Sequence, residues 1–101
     1  MDKHTIIDEL STKYGYDFRG AVIVANKLEK LNPQLASLFM QWRQDGVIPQ
    51  IEIEGFTIPR LITEHDMKPI AAFLTLDWLL REPLRAIASL KKGKDHIIRN
   101  N

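Results

Sequence analysis

The 101-residue sequence contains no cysteine. Disulfides, thiolate metal sites and a cysteine nucleophile are therefore excluded, and the absence fits a reducing compartment. It also lacks a strong charge of either sign: 14 Lys and Arg stand against 13 Asp and Glu. A net charge of +1 gives no global field to steer the chain onto nucleic acid, so such binding needs a local basic patch. No uncharged apolar run approaches the roughly 18–20 residues of a membrane span. The opening MDKHTIIDEL carries acids and no apolar run of about 7–15 residues, so no signal peptide is expected. Together these absences predict a cytoplasmic protein without a membrane anchor. No Gly-rich phosphate loop, serine-nucleophile motif or paired-carboxylate motif stands out. No enzyme, cofactor or metal is expected on that basis.

What is present is a balanced globular composition, 45% hydrophobic and 27% charged, enough for one modest core. The expected class is all-α: about six short helices with one short strand near 50–54, in a single small domain over 1–101. The longest apolar stretch is Lys68 to Pro83. Ile70, Ala71, Ala72, Phe73, Leu74, Leu76, Trp78, Leu79 and Leu80 point nearly all round a helical turn. A helix apolar on every side is buried in a core or across an oligomer interface.

The other elements follow from caps and stripes. Thr5 to Tyr14 reads as a helix capped by Thr5, with Ile6, Ile7, Leu10 and Tyr14 on one stripe and Gly15 as its stop. A second helix runs from Asp17 to about Leu31. Phe18, Ala21, Val22, Ala25 and Leu28 mark its inner face, while Arg19, Asn26, Lys27, Glu29 and Lys30 look outward. Asn32-Pro33 caps and starts a third helix with Leu35, Leu38, Phe39 and Trp42 at helical spacing, closed by Asp45-Gly46. Gln50 to Glu54 alternates polar and apolar, a strand with Ile51 and Ile53 on one face. Its partner is either His96-Ile97-Ile98-Arg99 or the same strand of a second subunit. Thr57 caps a fourth helix to about His65, with Ile58, Leu61 and Ile62 inward. Beyond Glu82-Pro83 a short sixth helix carries Leu84, Ile87, Ala88 and Leu90, and Lys91-Lys92-Gly93-Lys94 ends it.

A shift of 51 positions sets Leu10 on Leu61, Thr12 on Thr63, Ala21 on Ala72 and Leu28 on Leu79. Each block reads helix, turn, helix, Pro-started helix, Gly. The pattern allows an internal duplication with halves 5–46 and 57–93.

Thr57 to Pro83 resembles the helix-turn-helix core of winged-helix domains of small bacterial proteins. The residues that carry the likeness are Thr57-Ile58, Leu61, Met67 at the turn, and Leu76-Asp77-Trp78-Leu79-Leu80-Arg81-Glu82. A short strand before the first helix, as at Gln50 to Glu54, is also similar. The resemblance spans about a quarter of the chain and implies a helix-turn-helix-like pair. Two departures matter. A winged helix continues into a two-stranded wing, whereas Pro83 to Leu90 reads as a helix. The leading turn of the second helix is Lys68, Pro69, Ile70, Ala71, Ala72, Phe73, of which only Lys68 can donate to a base edge.

Few residues carry chemistry. Glu64-His65-Asp66 is the one tight acid–histidine cluster, but adjacent side chains on a helix end diverge, so a structural role is expected. His4 and His96, near the two ends, are expected on the surface. Asp77 lies inside the apolar helix, one turn before Arg81. It is the candidate buried polar residue, either capping a neighbouring segment or lining a pocket. Thr75 is expected to bond its own backbone. Trp42 and Trp78 read as core anchors, with an interface role as the alternative for either.

The expected function is a non-catalytic interaction or regulatory module that forms a homodimer or binds another protein, with Ile51, Ile53 and Trp78 as interface candidates. The alternative is a helix-turn-helix-type nucleic-acid binder, with Lys68, Lys91, Lys92, Lys94 and Arg99 as candidate contacts. Arg19, Lys27 and Lys30 could also meet phosphates, though their acidic neighbours favour a solvated surface.

Overall fold

The structure, a computed structural model, describes residues 2–100, with side chains described for residues 2–92. It is mostly α: six helices and one two-stranded antiparallel sheet. The chain divides into two compact units, Met1–Leu31 and Asn32–Asn101. Among the described residues no helix is long and apolar enough to cross a membrane.

The first unit is a pair of helices, α1 (Lys3–Thr12) and α2 (Phe18–Glu29). Asp2, not Thr5, caps α1. Its carboxylate accepts from the His4 N–H at 3.2 Å and from the Thr5 hydroxyl at 3.0 Å. Both residues are good caps, and the one three positions earlier gains an extra turn of helix. Asp17 caps α2 as expected, accepting from Gly20 N–H at 2.7 Å. A Cβ at Gly20 would sit 3.1 Å from that carboxylate oxygen, so glycine lets the cap close. Ile6 and Leu10 of α1 and Ala21, Ala25 and Leu28 of α2 are buried. Phe18, expected inside, is 73% exposed. It is the first residue of α2, and its Cα–Cβ bond tilts toward the helix N-terminus, off the end of the Ala21–Ala25–Leu28 stripe.

The second unit is built round the apolar helix, here α5 (Pro69–Arg81). Before it come α3 (Pro33–Asp45), strands β1 (Glu52–Ile53) and β2 (Phe56–Thr57), and α4 (Ile58–His65); α6 (Pro83–Asn100) follows. Helix α5 packs against α3, α4, α6 and β1. Ile70, Ala72, Phe73, Leu76 and Leu79 are its buried residues. Phe73 closes an aromatic cluster with α3, its ring 5.3 Å from Phe39 edge-on and 5.7 Å from Trp42. Such pairs add about 0.5–1.5 kcal/mol each beyond area burial. Of the two expectations for an all-round apolar helix, burial within the unit accounts for most of its surface; Leu80 alone among its residues of large apolar side chain is exposed.

Two expectations about the sheet and the last helix are corrected. The strand at 50–54 pairs with the very next segment. Glu52 faces Thr57 and Ile53 faces Phe56, so the strand finds a partner within its own chain, and that partner is not the C-terminal stretch. The reversal needs two left-handed residues, and Glu54 (φ +53°) and Gly55 (φ +81°) provide them. Helix α6 extends well past the stop expected at Lys91 to Lys94 and includes the span of the proposed strand His96 to Arg99. Its buried residues are Ala86 and Leu90, one turn apart, while Leu84 and Ala88 are exposed and Ile87 is half-buried.

The 51-residue offset recurs in local geometry. Phe18 begins α2 and Pro69 begins α5. Gly15 (φ +75°) and Asp66 (φ +54°) hold the same left-handed position in the two turns. Tyr16 N–H donates to Leu10 C=O at 3.0 Å, and Met67 N–H to Leu61 C=O at 3.3 Å. The Thr12 hydroxyl donates to Asp8 C=O and the Thr63 hydroxyl to Pro59 C=O, each four residues back. The third helices break the match: Gly46 ends α3, but α6 runs to Asn100.

Candidate functional site

The polar residues of α5 are committed to holding the second unit together. The Asp77 carboxylate accepts from the Asn32 backbone N–H at 2.9 Å and from Arg81 Nε at 2.9 Å. It thereby fixes the residue that caps α3, whose own side chain accepts from Gln34 N–H at 2.9 Å. Its side chain is 14% exposed, and no charged residue is fully buried among those described. Asp77 thus caps a neighbouring segment, one of its two expected roles. The Thr75 hydroxyl donates to Ala71 C=O at 2.8 Å, as expected. Trp78, half-buried, donates its indole N–H to Glu82 at 3.1 Å.

The acid–histidine cluster is likewise occupied. Arg60 bonds Glu64 through Nε, reaches Gly55 C=O at 2.7 Å and lies 4.8 Å from the Phe56 ring centroid. His65 packs its ring 5.9 Å from Phe56, and Asp66 sits in the left-handed turn. Among the described residues no group of three or more His, Asp or Glu could hold a metal ion.

Two open clefts lie along the extended segment between α3 and the hairpin. One, of about 410 Å³, is lined by Ile48, Pro49, Gln50, Ile51, Glu52, Thr57 and Pro59. The other, of about 240 Å³, lies against Leu38, Gln41, Asp45, Val47, Pro49 and Gln50. Neither gathers a nucleophile beside a base. Asp77 and His65 line neither of them.

The expected interface residues are mostly covered. Ile53 is buried under the hairpin, Ile51 is half-buried in the larger cleft, and Trp78 is half-buried on α5. Among the described residues, the large apolar side chains on the surface are instead Leu80 and Leu84, Val47, and in the first unit Phe18 and Ile23. Leu84 is 85% exposed and Leu80 45%. They flank the Glu82-Pro83 junction, four residues apart. The sequence puts Leu80 on a helix buried in a core or across an oligomer interface, and Leu84 among the apolar residues of the sixth helix. The signal against that is Pro83, which restarts the helix and sets a new phase.

Three of the expected nucleic-acid contacts have described side chains. Lys68 is exposed at the α5 N-cap, but the residues beside it, Ile70, Ala72 and Phe73, are fully inside. Lys91 and Lys92 are exposed on α6, and the side chains of Lys94 and Arg99 lie outside the described residues. No protein-family model, curated protein or solved structure matches the chain.

Proposed function

We propose that the chain is a non-catalytic binding module that pairs with a second copy of itself through the α5–α6 corner. The observation that carries this is the exposure of Leu80 and Leu84 on either side of one helix junction. Removing the exposed part of the two leucine side chains from water contributes at most about 1.5–3 kcal/mol for Leu84 and about half that for Leu80, which is 45% exposed. A self-pairing interface also needs charges that match their own rotated copy. The corner has them. Glu82 and Arg85 are both exposed and lie 3.7 Å apart, so a twofold axis between the leucines brings each Glu82 toward the other copy's Arg85. In the same reading α4 and α5, joined by three residues, form a helix-turn-helix-type pair that serves as scaffold. The buried leading turn of α5 leaves it no base-reading surface.

Sedimentation of charge-reversed variants tests the pairing. Glu82→Arg alone and Arg85→Glu alone each weaken association, and mixing the two singles restores a heterodimer. Failure of the mixture to associate while each single variant stays folded would sink the reading.

A further inference from the structure

We propose that the outer face of α2 lies across the major groove of duplex DNA and grips the phosphates of both strands. Arg19, Ile23, Asn26, Lys27 and Lys30 fall within an arc of about 100° at 3.6 residues per turn, opposite the buried Leu28. Arg19, Ile23, Lys27 and Lys30 are exposed and Asn26 is half-buried. Neither Arg19 nor Lys27 forms an ion pair with any described residue. The acidic neighbours that argued for a merely solvated face are engaged elsewhere. Asp17 caps the Gly20 N–H, and Glu29 lies 3.8 Å from Lys3. The small net charge of the whole chain therefore conceals a helix face whose outward charges are positive.

Spacing selects the partner. Arg19 and Lys27 are eight residues apart, a rise of about 12 Å along the helix, which matches the roughly 12 Å width of the B-DNA major groove. Arg19 at one rim and Lys27 with Lys30 at the other reach phosphates on opposite strands. Ile23 lies midway, where apolar contact with thymine methyls is available, and Asn26 is of the type that pairs with adenine. The deep, narrow major groove of A-form RNA does not admit a helix, so the fit is to DNA.

The second copy of the motif shows that this face is a property of α2 and not of the shared turn. At the 51-residue offset, Arg19, Ile23, Asn26, Lys27 and Lys30 become Ile70, Leu74, Asp77, Trp78 and Arg81. Ile70 is 2% exposed, and Asp77 and Arg81 bond each other. Equivalent local geometry supports a structural spine in α5 and a solvent-facing cationic surface in α2.

The test is fluorescence anisotropy of the full chain with a pool of random-sequence DNA duplexes. Binding is expected at about 50 mM salt and should weaken steeply toward about 200 mM. Arg19→Ala, Lys27→Ala and Lys30→Ala should each lower the slope of log affinity against log salt by about 0.9. The triple variant should lose binding while keeping its circular dichroism and melting profile. Lys27→Arg should retain it, and Lys91→Ala with Lys92→Ala should leave it unchanged. Three results would overturn the proposal: no binding at low salt, unchanged binding by the folded triple variant, or loss of binding on changing Lys91 and Lys92 instead. Equal affinity for duplex RNA would overturn the groove assignment.

Discussion

Asp77 illustrates how one side chain can look like a site and be a tether. In the sequence it is a carboxylate in an apolar helix. In the structure both its oxygens are used, one by the Asn32 N–H and one by Arg81. The N–H it accepts is charge-assisted and part-buried, so its loss is felt. Asp77→Ala should lower stability by about 1–3 kcal/mol in urea unfolding, because it leaves the Asn32 N–H without its partner. Arg81→Ala, which removes only the half-exposed arm of the pair, should cost less than about 1 kcal/mol. Tyr16 gives a second residue-scale expectation. Burial pushes its phenol above the ordinary value near 10. The folded state therefore holds the proton to higher pH than the unfolded chain does. The stabilisation is full below about pH 10 and is lost as pH rises through the raised folded value. Tyr16→Phe should flatten that part of the alkaline stability profile; an unchanged profile would assign it to other groups.

At the scale of elements, the caps were legible because their chemistry is local. Asp17, Asn32 and Thr57 start α2, α3 and α4 as their side chains dictate. The α1 start was read three residues late because Asp2 and Thr5 are both competent caps, and Thr5 is used as a donor to Asp2. The hairpin was half legible. Ile51 and Ile53 showed the alternation, but two-residue strands are too short to display a period. Thr57 serves both as strand partner and as helix cap. The turn was hidden because glutamate is an unfavourable left-handed residue, so Glu54-Gly55 does not read as a turn signal. Glu54→Asn should therefore stabilise the chain by up to about 1 kcal/mol in thermal unfolding. At the core of the second unit, Phe73→Ala should cost about 3–5 kcal/mol, since it opens the contact with Phe39 and Trp42. Helix α6 runs past Gly93 because a glycine inside a helix costs only about 1 kcal/mol and does not by itself end it.

At the scale of the whole molecule, the mostly helical class followed from periodicity, and the repeated order of helices followed from the 51-residue offset. The candidate site was less legible. Exposure depends on which neighbours a helix meets, and Ile70 carries no local mark that places it in the core. Charge was legible in kind but not in place. Arg19, Lys27 and Lys30 read outward from spacing, but whether Arg19 and Lys27 meet an acid depends on where Asp17 and Glu29 turn. The two proposals, self-pairing through the α5–α6 corner and DNA binding by the outer face of α2, rest on separate observations in separate units. Self-pairing is the central functional proposal for the second unit. The direct test is the molar mass of the unmodified chain by light scattering over a wide concentration range. The expected result is a mass rising from one chain to two, with Leu84→Glu holding at one. A single-chain mass at every concentration, with the chain folded throughout, would contradict it.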